Sequence, residues 1–97
     1  MMELRVLVEV TAGKRQEFLQ AMKSFLEMSA SAGEEQCVYR RMDSDNMYCL
    51  MLERESREEI ETFMESSRFQ FFSGAADVLG EILEARVVEA SEVKPLR

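Results

Sequence analysis

The sequence predicts an α+β fold: a four-stranded antiparallel sheet with two helices on one face, in the order β-α-β-β-α-β. Three observations lead there. The opening MMELRVLVEV alternates apolar and polar residues at period 2. Two later stretches switch to the 3.6-residue period of a helix. Two strand-like runs flank DSDN, a cluster of residues that favour turns by bonding their own backbone.

Leu4, Val6, Val8 and Val10 alternate with Arg5, Leu7 and Glu9, which defines the first strand, and TAG ends it. From Lys14 the spacing changes. Phe18, Met22 and Phe25 form an apolar stripe with Leu19 and Leu26 alongside, and Lys14, Arg15, Gln16, Glu17, Gln20, Lys23 and Glu27 fill the other face. This is an amphipathic helix, and Gly33 is its natural stop. EQCVYRRM and MYCLMLER then read as a β-hairpin around DSDN. Ser56 and Glu59 make the S-x-x-E capping box that starts a helix before Ile60 and Phe63. The helical pattern continues, bending near Ser66 and Ser67, to about Leu79, with Gly80 as its end. ARVVEA supplies the last strand, and SEVKPLR is a polar tail holding the only proline. The order is the split βαβ, ferredoxin-like arrangement, in one domain over residues 1–97, the tail 91–97 peripheral.

The chain of 97 residues carries a formal charge of −7, with hydrophobic residues at 46% and charged ones at 32%. That is a globular composition. Binding nucleic acid or an anionic membrane relies on Lys and Arg, so neither is the expected partner. No run reaches the length of a membrane span, and the start lacks the basic flank and cleavage site of a signal peptide, so a cytoplasmic location is expected.

The hairpin strands are apolar on both parities. MYCLML sets Met47, Cys49 and Met51 against Tyr48, Leu50 and Leu52, while Val38 and Met42 alternate with Cys37 and Tyr39. A sheet with one solvated face should alternate cleanly. An apolar second face is costly to expose and usually marks an interface. The expected partner is a second copy of the chain, sheet against sheet. Pairing Met42 with Met47 sets Cys37 opposite Leu52 and Cys49 opposite Arg40, so the cysteines point to opposite faces and an intramolecular disulfide is not expected. In that register Tyr39, Arg41, Tyr48 and Arg54 share a face with Leu50 and Leu52. A tyrosine–arginine pocket with apolar walls suits a small acidic or phenolic molecule. The same arginines also suit solvated strand ends.

The chain has no histidine and no tryptophan. That excludes a histidine triad, an imidazole base and a histidine-ligated haem or metal. C-x-x-C, G-x-G-x-x-G and Walker motifs are absent as well.

Three segments carry a family resemblance: TAGKRQEFLQAM after the first strand, GEEQCVYRRMDSDNMYCLMLERES, and SREEIETFMESSRF. In their order and spacing, over residues 4–90, the chain resembles the antibiotic biosynthesis monooxygenase (ABM) family of dimeric α+β barrels. The resemblance implies two subunits packed sheet to sheet and a ligand pocket between each sheet and its helices. Some members oxygenate aromatic substrates with dioxygen and no cofactor. Glu53 and Ser56 match the family's Glu-x-Trp-x-Ser, with Arg54 in place of the tryptophan. Ser66 and Phe69 match His-x-x-Ser-x-x-Phe, with Phe63 in place of the histidine, and near Val6 the first-strand asparagine is missing. The resemblance implies a cofactor-independent monooxygenase acting on a small aromatic or quinol-type molecule. Tyr39, Arg41, Tyr48 and Arg54 would be catalytic, and Phe63, Arg68, Phe69 and Phe72 would bind substrate, with no metal or cofactor. The alternative is a non-catalytic, ligand-binding or stress-related dimeric module, in keeping with the missing histidine, tryptophan and asparagine.

Overall fold

A computed structural model describes residues 1–33, 37–40 (backbone) and 46–89. The elements are β1 (Met2–Val10), α1 (Arg15–Ser31), β2 (Cys37–Arg40), β3 (Met47–Arg54), α2 (Arg57–Met64), α3 (Ser67–Leu79) and β4 (Gly80–Glu89). The strands form one antiparallel sheet in the order β2-β3-β1-β4. Residues 34–36, 41–45 and 90–97, with the expected DSDN turn and polar tail, lie outside the described residues.

One face of the sheet is the core. Its rows are Leu4 between Leu52 and Val87, Val6 between Leu50 and Ala85, and Val8 between Tyr48 and Ile82. The helices close this face with Phe18, Met22 and Phe25 from α1, Ile60 and Phe63 from α2, and Phe69, Phe72 and Ala76 from α3, all buried. Each large side chain taken out of water in this way contributes about 1.5–3 kcal/mol. α1 and α3 meet through the Phe25 and Phe72 rings, 5.4 Å apart. α1 ends as its spacing predicts: Gly33 takes φ 77°, a conformation that glycine enters without the Cβ penalty.

Three expectations need correction. The second helical stretch is two helices. Ser56 caps α2 by accepting from the Glu59 N–H at 3.2 Å, as its capping box predicts. Ser66 then starts a new helix by accepting from the Phe69 N–H at 3.2 Å. The last strand begins at Gly80, directly after α3, rather than at Ala85. Its pairing with β1 slips after Leu7, which faces Glu84 while Val8 faces Ile82, so Leu83 is the extra residue of a bulge.

The third correction bears on function. β2 and β3 pair with Cys37 opposite Met51, Val38 opposite Leu50, Tyr39 opposite Cys49 and Arg40 opposite Tyr48. This is one residue away from the register that pairs Met42 with Met47, and a slip of one exchanges the faces of a strand. The expected pairings of Cys37 with Leu52 and of Cys49 with Arg40 do not occur. Cys37 stands two positions from the residue facing Cys49, in the same row parity.

The face away from the helices is mixed. Met47, Cys49, Met51 and Leu7 are half-buried there. Toward β4 it turns charged, where Arg5 pairs with Glu3 at 2.7 Å and Arg86 with Glu84 at 2.8 Å. Its apolar part is therefore centred on β3.

Candidate functional site

Tyr48 is the residue whose surroundings are hardest to explain by packing alone. The sheet sets it on the core face between Val8 and Arg40 of the neighbouring strands. α1 lays Phe18 over it, with ring centroids 5.1 Å apart and planes tilted by 44°. Tyr48 is only 3% exposed, and its hydroxyl has no hydrogen-bond partner among the described residues. Leaving a buried hydroxyl unbonded costs about 1–3 kcal/mol. Phenylalanine would fill the same space without that cost. A tyrosine here supplies a donor and acceptor inside an apolar layer, where a hydrogen bond to a ligand oxygen is stronger than in water.

The same end of the sheet carries a surface depression of about 330 Å³ lined by Glu9, Val10, Thr11, Ala12, Asn46, Gly80 and Glu81. Two backbone bonds shape its floor: the Val10 N–H donates to the Asn46 carbonyl at 2.8 Å, and the Thr11 N–H to the Leu79 carbonyl at 2.9 Å.

Of the four residues expected to act together, the two whose side chains are described, Tyr48 and Arg54, stand far apart. Arg54 lies six residues along β3 from Tyr48, which is roughly 20 Å in an extended strand. Its Nη1 donates to the Glu53 carbonyl at 2.8 Å on an exposed strand end. Tyr39 stands opposite Cys49 in the backbone register, not in the row parity of Tyr48. Arg41 lies outside the described residues.

Of the expected substrate-binding set, Phe63, Phe69 and Phe72 are brought together as a packed run. Phe63 meets Phe69 with centroids 5.5 Å apart, and Phe69 meets Phe72 at 5.8 Å. Arg68 is elsewhere. It borders a groove of about 470 Å³ with Ser24, Glu27, Met28 and Ser31, on the outer side of α1 and α3.

Sequence reasoning missed two features. Phe18 was legible as core but not as the lid over Tyr48. Ser29 is buried, and its hydroxyl also lacks a partner among the described residues. Its signal was present: Phe18, Met22, Phe25 and Ser29 share one helical stripe, and Ser29 is its polar member. Among the described residues, no three His, Cys, Asp or Glu side chains group as a metal site, and no helix is long and apolar enough to cross a membrane.

No protein-family profile and no curated protein matches the chain. Solved structures do. A variant of SnoaB, a cofactor-independent oxygenase from Streptomyces nogalater, superposes with a TM-score of 0.75 at 15% identity, over 98% of this chain and 97% of its own. The fold is that of the antibiotic biosynthesis monooxygenases. A candidate ABM from Deinococcus radiodurans gives a TM-score of 0.75 at 11% identity, over 100% of this chain and 99% of its own. A conserved protein from Methanosarcina mazei Go1 gives 0.73 at 16% identity, over 90% and 87%. The ABM fold thus spans the whole chain, while the side chains that fill it are this chain's own. Phe63, standing where the resembled pattern has histidine, is a core residue 3% exposed.

Proposed function

We propose that this chain is an ABM-like, cofactor-independent oxygenase that takes a small aromatic or quinol-type molecule into the layer between sheet and helices at Tyr48. The observation that carries the proposal is the buried Tyr48 hydroxyl, without a partner among the described residues, beneath Phe18. A phenolic or quinone oxygen of the ligand would satisfy it, and the Phe18 ring offers a face for stacking. A quinol needs no external reductant. One oxygen atom of dioxygen replaces hydrogen with hydroxyl on the ring, the quinol gives up two electrons to become a quinone, and the other oxygen atom leaves as water. The fold shared with a cofactor-independent oxygenase supports this reaction class. Arg54 lies too far along β3 to take part in this site, and Phe69 and Phe72 act as packing behind it.

The protein is proposed to work as a homodimer in the cytoplasm, joined through the open sheet face around Leu7, Met47, Cys49 and Met51. Half-buried apolar side chains at the centre of an open face are the interface-like feature that supports this.

The test is dioxygen consumption with 1,4-naphthohydroquinone, corrected for spontaneous oxidation, with 2-hydroxy-1,4-naphthoquinone as the product sought. The proposal expects protein-dependent uptake that Tyr48→Phe removes. Uptake equal to the protein-free rate, or unchanged in Tyr48→Phe, contradicts it.

A second reading is favoured by Phe63. With its ring packed on Phe69, the place of the resembled pattern's histidine is apolar and filled. On this reading the dimer binds its ligand at Tyr48 without turning it over. Binding without uptake distinguishes it.

A further inference from the structure

A ring seated at the Tyr48 hydroxyl needs room in a layer that is already filled. Val8, Phe18, Met22, Tyr48 and Leu50 are each at most 3% exposed, and interiors packed in this way hold few voids. The direction of the chain shows which side chain stands next to the Phe18–Tyr48 pair. The Val10 N–H donates to the Asn46 carbonyl at 2.8 Å, so β1 ends where β3 starts. α1 follows shortly after Val10 and leaves from that same end, so α1 and β3 run in the same direction. Phe18 lies over Tyr48 near the start of both. The next residue of the buried α1 stripe, Met22, follows about 6 Å along the helix. The next core residue of β3, Leu50, follows about 6–7 Å along the strand. Met22 is thus the neighbour of the pair on the side leading into the layer.

We propose that Met22 is the movable wall of the ligand site and determines what it accepts. This rests on the reading of Tyr48 given above. Without ligand the Met22 side chain fills the layer; with ligand it swings aside and the ring system takes its place against Phe18. The surrounding groups single Met22 out. Val8 is stiff at χ1 because it is β-branched. At the other end of the pair, room would break the backbone bonds from Val10 to Asn46 and from Thr11 to Leu79. Further in, Phe25 is fixed against Phe72, with rings 5.4 Å apart. Met22 is unbranched, turns about three bonds, and its sulfur makes favourable contacts with aromatic edges. Phe18 and Phe25 stand about 10 Å apart along α1, so the space that Met22 yields suits a phenol of one or two fused rings.

The experiment is a calorimetric titration of 2-naphthol into wild type, Met22→Leu and Met22→Ala. Leucine keeps the volume of methionine but is branched and has fewer rotatable bonds, so Met22→Leu is expected to fold with little change in stability and to bind at least about tenfold more weakly, the cost of forcing a stiffer side chain aside. Met22→Ala leaves the room open and is expected to bind at least as tightly as wild type, although it is the less stable of the two variants. A purely structural role predicts the reverse order, with leucine harmless and alanine harmful. Methyl-labelled methionine gives a readout that needs no folded alanine variant: the Met22 methyl resonance, assigned by its loss in Met22→Leu, is expected to move on saturation of the wild type. Binding to wild type with an unmoved Met22 resonance, or with full affinity kept in Met22→Leu, overturns this inference and leaves the Tyr48 reading standing. No binding to wild type overturns both.

Discussion

Phe63 and Phe69 meet edge to face with centroids 5.5 Å apart, one from each side of the Ser66 cap. This contact fastens α2 to α3 and places Phe63 in the core. Truncation to alanine is expected to lower stability by about 3–5 kcal/mol, read from the urea midpoint at unchanged slope. Phe63→His is also expected to destabilise, since the imidazole would enter an apolar position with no partner among the surrounding rings. A histidine tolerated there without loss would show that the position is not core.

Ser66 is the second helix start that the sequence hides. Its hydroxyl accepts from the Phe69 N–H at 3.2 Å. Ser66→Ala is expected to cost about 1 kcal/mol, and Ser66→Asp to keep most of the cap. Hydrogen exchange at the Phe69 amide reads this locally, with faster exchange in the alanine variant only.

The contrast between Ser56 and Ser66 explains what was legible. Ser56 is followed at the third position by Glu59, the full capping-box pattern, whereas Ser66 is followed there by Phe69. The second cap therefore looked like a bend inside one apolar helix. The core stripe of α1 and the alternation of β1 were plain, because each buries one face at a fixed period. The β2–β3 register was not, because β3 is apolar on both parities and hydrophobic pattern alone does not choose between neighbouring registers. That ambiguity grouped Tyr39 and Tyr48 on one face, where the structure divides them. The Tyr48 hydroxyl, without a partner among the described residues, was out of reach of sequence, since its burial depends on Phe18 crossing above β3.

Gly80 joins α3 to β4 with no connecting loop. Its φ of −174° is ordinary extended backbone, so glycine is needed for closeness rather than for handedness. A Cβ there would collide with the Glu9 carbonyl oxygen and lie 2.8 Å from the Val10 Cα. Gly80→Ala is expected to destabilise by about 1–3 kcal/mol through displacement of the β1–β4 pairing. The control Gly74→Ala, where an added Cβ meets nothing within 4 Å, should be neutral or stabilising in its exposed helix interior. Equal effects of the two in thermal denaturation would refute this reading.

Leu7 sits on the open face opposite Cys49. If that face joins two copies, Leu7→Glu places two carboxylates across the contact and is expected to give a folded monomer. Sedimentation equilibrium should then read twice the chain mass for wild type and the single mass for the variant. A wild-type monomer at all concentrations would remove the dimer from the account.

The central claim is that the Tyr48 hydroxyl waits for a ligand. Calorimetric titration with 2-naphthol, a phenol that cannot act as a quinol, compares wild type with Tyr48→Phe most directly. Saturable binding is predicted for wild type and about tenfold weaker binding for the variant, the loss of one buried hydrogen bond. The variant itself should be as stable as wild type or more so, since it loses an unbonded buried hydroxyl. Identical isotherms for the two proteins, or no binding to wild type, would contradict the account.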